Sequence, residues 1–109
     1  MENSICLDTN ILVDLLRNKS DAVKWVEENE SNNILATTII NVFELYSGAY
    51  KAHDSENKIL AVKKLVGKLK ILYFNDNGAE EAGRLNAQLE SKGASLEKRD
   101  LFIGAIALL

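Results

Sequence analysis

The stretch ICLDTNILVDLLR, Ile5 to Arg17, interrupts an apolar pattern with three consecutive polar residues. The apolar run 5–7 is followed by Asp8, Thr9 and Asn10, after which apolar residues return over 11–16. A short buried strand that passes into a helix produces this pattern, with the polar residues at the junction. We therefore predict a strand followed by a helix, with Asn10 as the helix cap.

Apolar segments with the lengths of strands and helices alternate through the whole chain. The pattern predicts strands at 4–7, 34–37 and 70–74, and helices at 10–17, 21–30, 38–52, 56–69, 77–91 and 96–109. Strands separated by helices favour parallel pairing, and hence an α/β fold with a short central parallel sheet flanked by helices. No proline, repeat or linker divides the chain, so 1–109 is predicted to be a single domain.

The last apolar segment, DLFIGAIALL, runs to residue 109 without a capping residue or a polar tail. An amphipathic helix normally ends in a cap or a basic turn. We therefore expect the domain to be truncated at its C-terminus and to lack its C-terminal strand in this chain.

Composition points to an ordinary globular protein, because 47% of the residues are hydrophobic and 27% are charged. No apolar run approaches the ~20 residues that span a bilayer, and the N-terminus has no secretory pattern. The single cysteine, Cys6, excludes an internal disulfide and a cysteine-based zinc site, and is expected in the core. These features predict a cytoplasmic protein without a membrane segment.

The net charge of −3 does not itself indicate nucleic-acid binding. Six lysines nevertheless lie within residues 51–70: Lys51, Lys58, Lys63, Lys64, Lys68 and Lys70. They form either a solvated helix surface or, together with Arg17 and Arg99, a surface that attracts phosphates.

Asp8 should lie at the edge of the sheet where ligands of parallel α/β proteins bind, because it directly follows the first strand. The alternative is a plain helix cap, in which the carboxylate accepts backbone N–H bonds. Both remain open from position alone.

Two further carboxylates lie on predicted helices beside small or polar residues. Glu44 is surrounded by Asn41, Ser47 and Gly48 at helical spacing, although a solvated glutamate is the alternative. Asp100 begins the last predicted helix, where an acid can simply compensate the helix dipole.

If Asp8, Glu44 and Asp100 converged on one edge, their charges would repel one another unless a cation neutralised them. Oxygen ligands of this kind suit Mg²⁺ or Mn²⁺, whereas the lone His53 and Cys6 cannot build a zinc site. Such a site leaves coordination positions open for a phosphodiester and a water molecule.

Three segments of the chain resemble the successive acidic motifs of PIN-domain nucleases, and of VapC-type ribonuclease toxins in particular. They are LDTNILVDLLR, TTIINVFELYSGAY and GASLEKRDLFIGAIAL. The resemblance implies a PIN-like three-layer fold and an Mg²⁺- or Mn²⁺-dependent endoribonuclease that cleaves RNA. It further implies a homodimer that pairs with a small antitoxin.

The resemblance also implies roles for single residues. Asp8, Glu44 and Asp100 would hold the metal or its water, Thr9 would place a hydroxyl near them, and Asn10 would brace the loop. The family commonly has a fourth acidic residue after a further strand, and this chain ends before that position.

Two alternatives to a nuclease follow from the same residues. One is a non-catalytic PIN-like interaction domain with an incomplete metal site, which would keep partner binding in Asp8→Asn. The other is a phosphotransfer domain, which is disfavoured because a phosphatase of the haloacid dehalogenase type would need an acid at Asn10 and a receiver domain would need paired acids after the first strand.

Overall fold

Strands and helices alternate along the described chain, which comprises residues 3–94 together with 97, 102 and 104 of a computed structural model. The strands are β1 (Asn3–Cys6), β2 (Asn33–Thr38) and β3 (Lys70–Leu72). The helices are α1 (Thr9–Leu16), α2 (Ser20–Asn29), α3 (Ile39–Lys51), α4 (Ser55–Val66) and α5 (Asp76–Ser91). The predicted order of elements up to residue 91 is confirmed, with every boundary within three residues of its predicted place.

The last predicted helix falls largely outside the described residues. Of 96–109, only Glu97, Phe102 and Gly104 are described, and Phe102 and Gly104 are helical. Asp100 and Arg99 lie outside the described residues. Within the described part of the chain, no helix is both long and apolar enough to cross a bilayer.

The three strands form a parallel sheet in the order β1-β2-β3. Cys6 is in register with Ala36, and Thr38 with Leu72. The link between β1 and β2 continues past the end of β1, because Leu7 donates its N–H to the carbonyl oxygen of Ala36 at 2.7 Å. The predicted α/β class with parallel pairing is therefore confirmed, and the carboxyl ends of β1 and β2 lie side by side.

The main core lies where α1, α3 and α4 pack together beside the sheet. Its buried members are Leu7, Leu12, Leu45, Ala49 and Val62. Leu12 is fully buried, so Leu12→Ala would cost roughly 2–5 kcal/mol of unfolding free energy. This packing fixes α1 and α3 against each other, which matters because the site residues lie at their N-terminal ends.

Two local predictions near β1 are wrong. Asn10 is not the cap of α1, because the N-cap residue is Asp8 and Asn10 lies in the first helical turn. Cys6 is exposed rather than part of the core. Successive side chains of a strand point to opposite faces, and the neighbouring Ile5 is the one that packs against the core.

Candidate active site

The turn from β2 into α3 is closed by a reciprocal cap between two buried side chains, Thr38 and Asn41. The hydroxyl oxygen of Thr38 accepts the backbone N–H of Asn41 at 3.2 Å. In return, the side-chain oxygen of Asn41 accepts the backbone N–H of Thr38 at 3.2 Å and its hydroxyl at 2.6 Å. This is a capping box with asparagine in the place where glutamate or glutamine is usual.

The other half of the Asn41 amide reaches the junction between β1 and α1. Its nitrogen Nδ2 donates to Asp8 Oδ1 at 3.2 Å and to Thr9 Oγ1 at 2.9 Å. The Thr9 hydroxyl in turn donates to Glu44 Oε1 at 2.7 Å. Glu44 follows Asn41 by three residues, so both side chains lie on one face of α3. We call Asp8, Thr9, Asn41 and Glu44 the carboxyl-edge cluster.

Asp8 occupies the N-cap position of α1 in extended backbone conformation, with φ −80° and ψ 164°. Its side chain makes no capping hydrogen bond and instead accepts the Asn41 amide. The capping alternative for the Asp8 carboxylate is therefore wrong. Asp8 is exposed and Glu44 is half-buried, so one carboxylate is accessible to solvent and the other is partly enclosed.

The negative charge at this edge affects the pKa of Cys6, a neighbouring residue on β1. The pKa of the Cys6 thiol is raised, first because the surrounding protein desolvates the thiolate and second because the Asp8 carboxylate repels it. Both causes disfavour the charged thiolate. Both effects favour the neutral thiol, which is the less nucleophilic form of cysteine.

The donor set of the carboxyl-edge cluster fits a hard divalent cation, because carboxylate and hydroxyl oxygens are the groups that Mg²⁺ and Mn²⁺ prefer. Among the described residues, no three or more His, Cys, Asp or Glu side chains form a group that would hold a metal. Asp8 and Glu44 are the two carboxylates that the described hydrogen bonds of this cluster connect, and a cation that keeps several waters needs few such ligands.

The sequence matches the family model of the PIN domain over residues 5–109. The chain belongs to the PIN-domain family. The matched region includes all three acidic motifs, and the observed parallel α/β sheet is the fold that the resemblance implied.

Several characterised relatives and solved structures are similar to this PIN domain. It is 29% identical over 103 residues to Ribonuclease VapC1 of Haemophilus influenzae, covering 94% of this chain and 77% of the relative. The identity and both coverages are the same for Ribonuclease VapC2 of Rickettsia felis. VapBC2 of Rickettsia felis, solved bound to a DNA fragment, superposes with a TM-score of 0.85 at 27% identity over 95% of this chain and 79% of the other. VapBC-1 of nontypeable Haemophilus influenzae superposes with a TM-score of 0.80 at 29% identity, covering 96% of this chain and 79% of the other.

A cleft of about 360 Å³ lies beside Glu44 between α1, α3 and α4 of the PIN domain. Two cationic side chains line it, Arg17 from the end of α1 and Lys58 from α4. Lys68 and Lys70 line a different cleft of about 310 Å³, which also contains the first residue of β2 and so lies at the amino edge of the sheet. Lysines of the segment 51–70 therefore line two separate clefts.

The structure brings together three of the predicted site residues, Asp8, Thr9 and Glu44. Asn10 is exposed, and within the described residues its side chain makes no hydrogen bond. The fifth predicted residue, Asp100, lies outside the described residues.

Sequence reasoning did not assign a site role to Asn41, which contacts both Asp8 and Thr9. A signal was present in the spacing Thr38–x–x–Asn41 at the predicted helix start, which is that of a capping box. That spacing predicts the cap. It does not predict the contacts made by the amide nitrogen.

Proposed function

We propose that this PIN domain is a divalent-metal-dependent endoribonuclease that hydrolyses phosphodiester bonds in RNA. The observation that carries the proposal is the Thr9–Glu44 hydrogen bond, which joins the β1–α1 junction to α3 directly beside the exposed Asp8. The relatives named as ribonucleases support RNA as the substrate class.

Asp8 and Glu44 would hold Mg²⁺ or Mn²⁺, with Asp100 as the third ligand that the resemblance implies. The cation would neutralise the charge that develops on the phosphate oxygens. Asp8 is exposed, so a cation held by its carboxylate would be accessible to a phosphodiester. The Thr9 hydroxyl donates to one oxygen of Glu44 and so fixes the orientation of the carboxylate that would hold the cation or its water.

Substrate binding would use the cleft beside Glu44. Arg17 and Lys58 line it together with Glu44 and apolar residues, so the cleft carries two positive charges on an otherwise acidic protein. Cations in such a position bind phosphates through a salt-dependent, sequence-independent attraction. Arg17 and Lys58 would therefore anchor the RNA backbone, and base preference would come from groups that contact unstacked bases.

The proposed partner is a small antitoxin protein, which makes this chain the toxin of a cytoplasmic toxin–antitoxin pair. The support is that similar structures are VapBC complexes. The chain would also form a homodimer. The support for a contact surface is that Phe43 and Tyr50 lie seven residues apart on one side of α3, and that each is 67% exposed. Light scattering of the purified chain, alone and with a candidate antitoxin protein, tests both assemblies.

The decisive experiment incubates the full chain with single-stranded and with structured RNA in Mn²⁺ and in Mg²⁺, with and without a chelator. We expect cleavage that requires the metal and falls by roughly 100-fold or more in Asp8→Asn. Cleavage that persists in chelator contradicts the mechanism. If the chain never cleaves RNA although both it and Asp8→Asn bind the antitoxin, the alternative of a non-catalytic interaction domain is supported instead.

A further inference from the structure

We propose that Asn41 is a positioning residue of this site, whose buried amide directs the Thr9 hydroxyl toward Glu44 and holds the Asp8 carboxylate. The proposal rests on the proposed nuclease function for its kinetic consequence. The fixed direction of the hydrogen bonds from Asn41 to Thr9 and from Thr9 to Glu44 follows from the described contacts alone.

The orientation of the Asn41 amide follows from the cap of α3. The backbone N–H of Thr38 can only donate, so the atom that faces it at 3.2 Å must be the amide oxygen. The nitrogen Nδ2 therefore points the other way, toward Asp8 and Thr9. Asn41 is 1% exposed, and its amide has four contacts: two to the oxygen from Thr38 and two from the nitrogen.

The direction of the Thr9 hydroxyl follows from the amide. Nδ2 can only donate, so the Thr9 oxygen accepts from Asn41 at 2.9 Å. The single hydroxyl proton is then directed to Glu44 Oε1 at 2.7 Å. An oriented hydroxyl of this kind holds a neighbouring carboxylate in one rotamer, as the outer groups that support metal ligands do.

Capping alone does not explain asparagine at this position. The cap of α3 uses only the side-chain oxygen, and an aspartate would supply an equivalent oxygen near a helix N-terminus, where negative charge is favourable. The donating nitrogen is what asparagine adds. This nitrogen donates to Asp8 and Thr9, which precede Asn41 by 33 and 32 residues in the chain.

Asn41→Asp separates the two roles, since it keeps the capping oxygen and replaces the donor by a second acceptor that faces Asp8. We expect kcat for RNA cleavage to fall at least tenfold while KM changes less than threefold. A smaller fall in kcat overturns the proposal. The matched control is Thr37→Val, which removes another fully buried hydrogen bond at the same edge, from Thr37 to the Leu7 carbonyl. It should destabilise the fold and leave kcat within threefold at temperatures where the domain stays folded.

A second readout needs no cleavage and covers the case in which Asn41→Asp does not fold. The side-chain N–H signals of Asn41 are followed by hydrogen exchange in the unmodified chain, in Thr9→Val and in Thr9→Ser. We expect exchange to quicken at least tenfold in Thr9→Val, which lacks the acceptor, and to stay within threefold in Thr9→Ser, which keeps it. Unchanged exchange in Thr9→Val contradicts the proposed geometry. An unmodified chain that cleaves no RNA refutes the proposed function and leaves this test intact.

Discussion

Two carboxylate systems in this protein, the carboxyl-edge cluster and the Glu81–Arg84 pair of α5, are built in opposite ways. Glu81 accepts hydrogen bonds from the guanidinium of Arg84, three residues along the same helix. The carboxyl-edge cluster instead joins residues that are 32 to 35 positions apart, through the neutral groups of Thr9 and Asn41. The pair on α5 requires only a helix, whereas the cluster requires the folded sheet.

The difference shows what each system can do. A partly exposed ion pair at helical spacing contributes little, because water still reaches the charges and ordering two long side chains costs entropy. A carboxylate that accepts from neutral donors is oriented by them, and the donors themselves bring no opposite charge. Asp8 and Glu44 are oriented in this way, as are ligands that outer groups support in a metal site.

The largest expected effect separates the two systems directly. Glu44→Gln keeps an oxygen that can accept from Thr9 but removes the charge, so RNA cleavage should fall by roughly 100-fold or more. Glu81→Gln removes a carboxylate that lies far along the chain from the cluster and should leave the rate unchanged. Initial rates of RNA cleavage in Mn²⁺ are measured for both variants. Similar losses of rate in the two would contradict a special role for the carboxyl-edge cluster.

A second comparison sets the cleft beside Glu44 against the cleft at the amino edge of the sheet. Replacing Arg17 and Lys58 by alanine should raise KM for RNA about tenfold and flatten its salt dependence, because two phosphate contacts are lost. The matched control replaces Lys68 and Lys70 by alanine, which removes the same charge from residues that line the other cleft. Equal salt slopes for the two double variants would mean that RNA is attracted by overall charge and not by the cleft.

Stability should respond to the buried polar contacts of the sheet more than to the surface pair. Thr37→Val leaves the Leu7 carbonyl without its hydroxyl donor, which should cost about 1–2 kcal/mol of unfolding free energy. This corresponds to a decrease in Tm of roughly 5–10 °C for a domain of this size. Thermal unfolding followed by circular dichroism measures the shift, and a Tm within about 2 °C of the unmodified chain would contradict the assigned role of this bond.

The smallest expected effect is that of Arg84→Met, which should lower Tm by at most about 2 °C at neutral pH. The hydrogen bonds from Arg84 hold the pKa of Glu81 below its ordinary value. A lowered pKa in the folded state stabilises the protein above the ordinary glutamate pKa, and this contribution is lost as the pH falls through the lowered value. The difference in Tm between Arg84→Met and the unmodified chain should therefore shrink on acidification. A difference that grows in acid would contradict this assignment.

Most of the fold was predictable because its signals are local. The apolar strand lengths, the helical spacing and the polar punctuation between them give the order of elements up to residue 91, and parallel pairing then places Asp8 at the carboxyl edge. Glu44 was predictable for a similar reason, since it stands among polar and small neighbours on an otherwise apolar helix. The choice of Thr9 and Asn10 came from the resemblance to PIN-domain nucleases.

The remaining features depend on contacts between distant segments. Asn41 gains its contacts from Asp8 and Thr9, whose positions are set only when β1 and β2 pair. Asn10 was mistaken for the cap because both it and Asp8 are good capping residues, and the backbone decides between them. The division of the lysines could not be predicted, because it depends on how α4 packs against α1 and α3.

The most direct test of the account is paramagnetic broadening of backbone amide signals by substoichiometric Mn²⁺. If the carboxyl-edge cluster holds the metal, broadening should begin at Asp8, Thr9 and Glu44 and should be lost from these residues in Asp8→Asn. The amides of Glu81 and Arg84 should stay sharp at the same metal concentration. Broadening centred on α5, or spread evenly over the acidic surface, would contradict the carboxyl-edge cluster as the metal site.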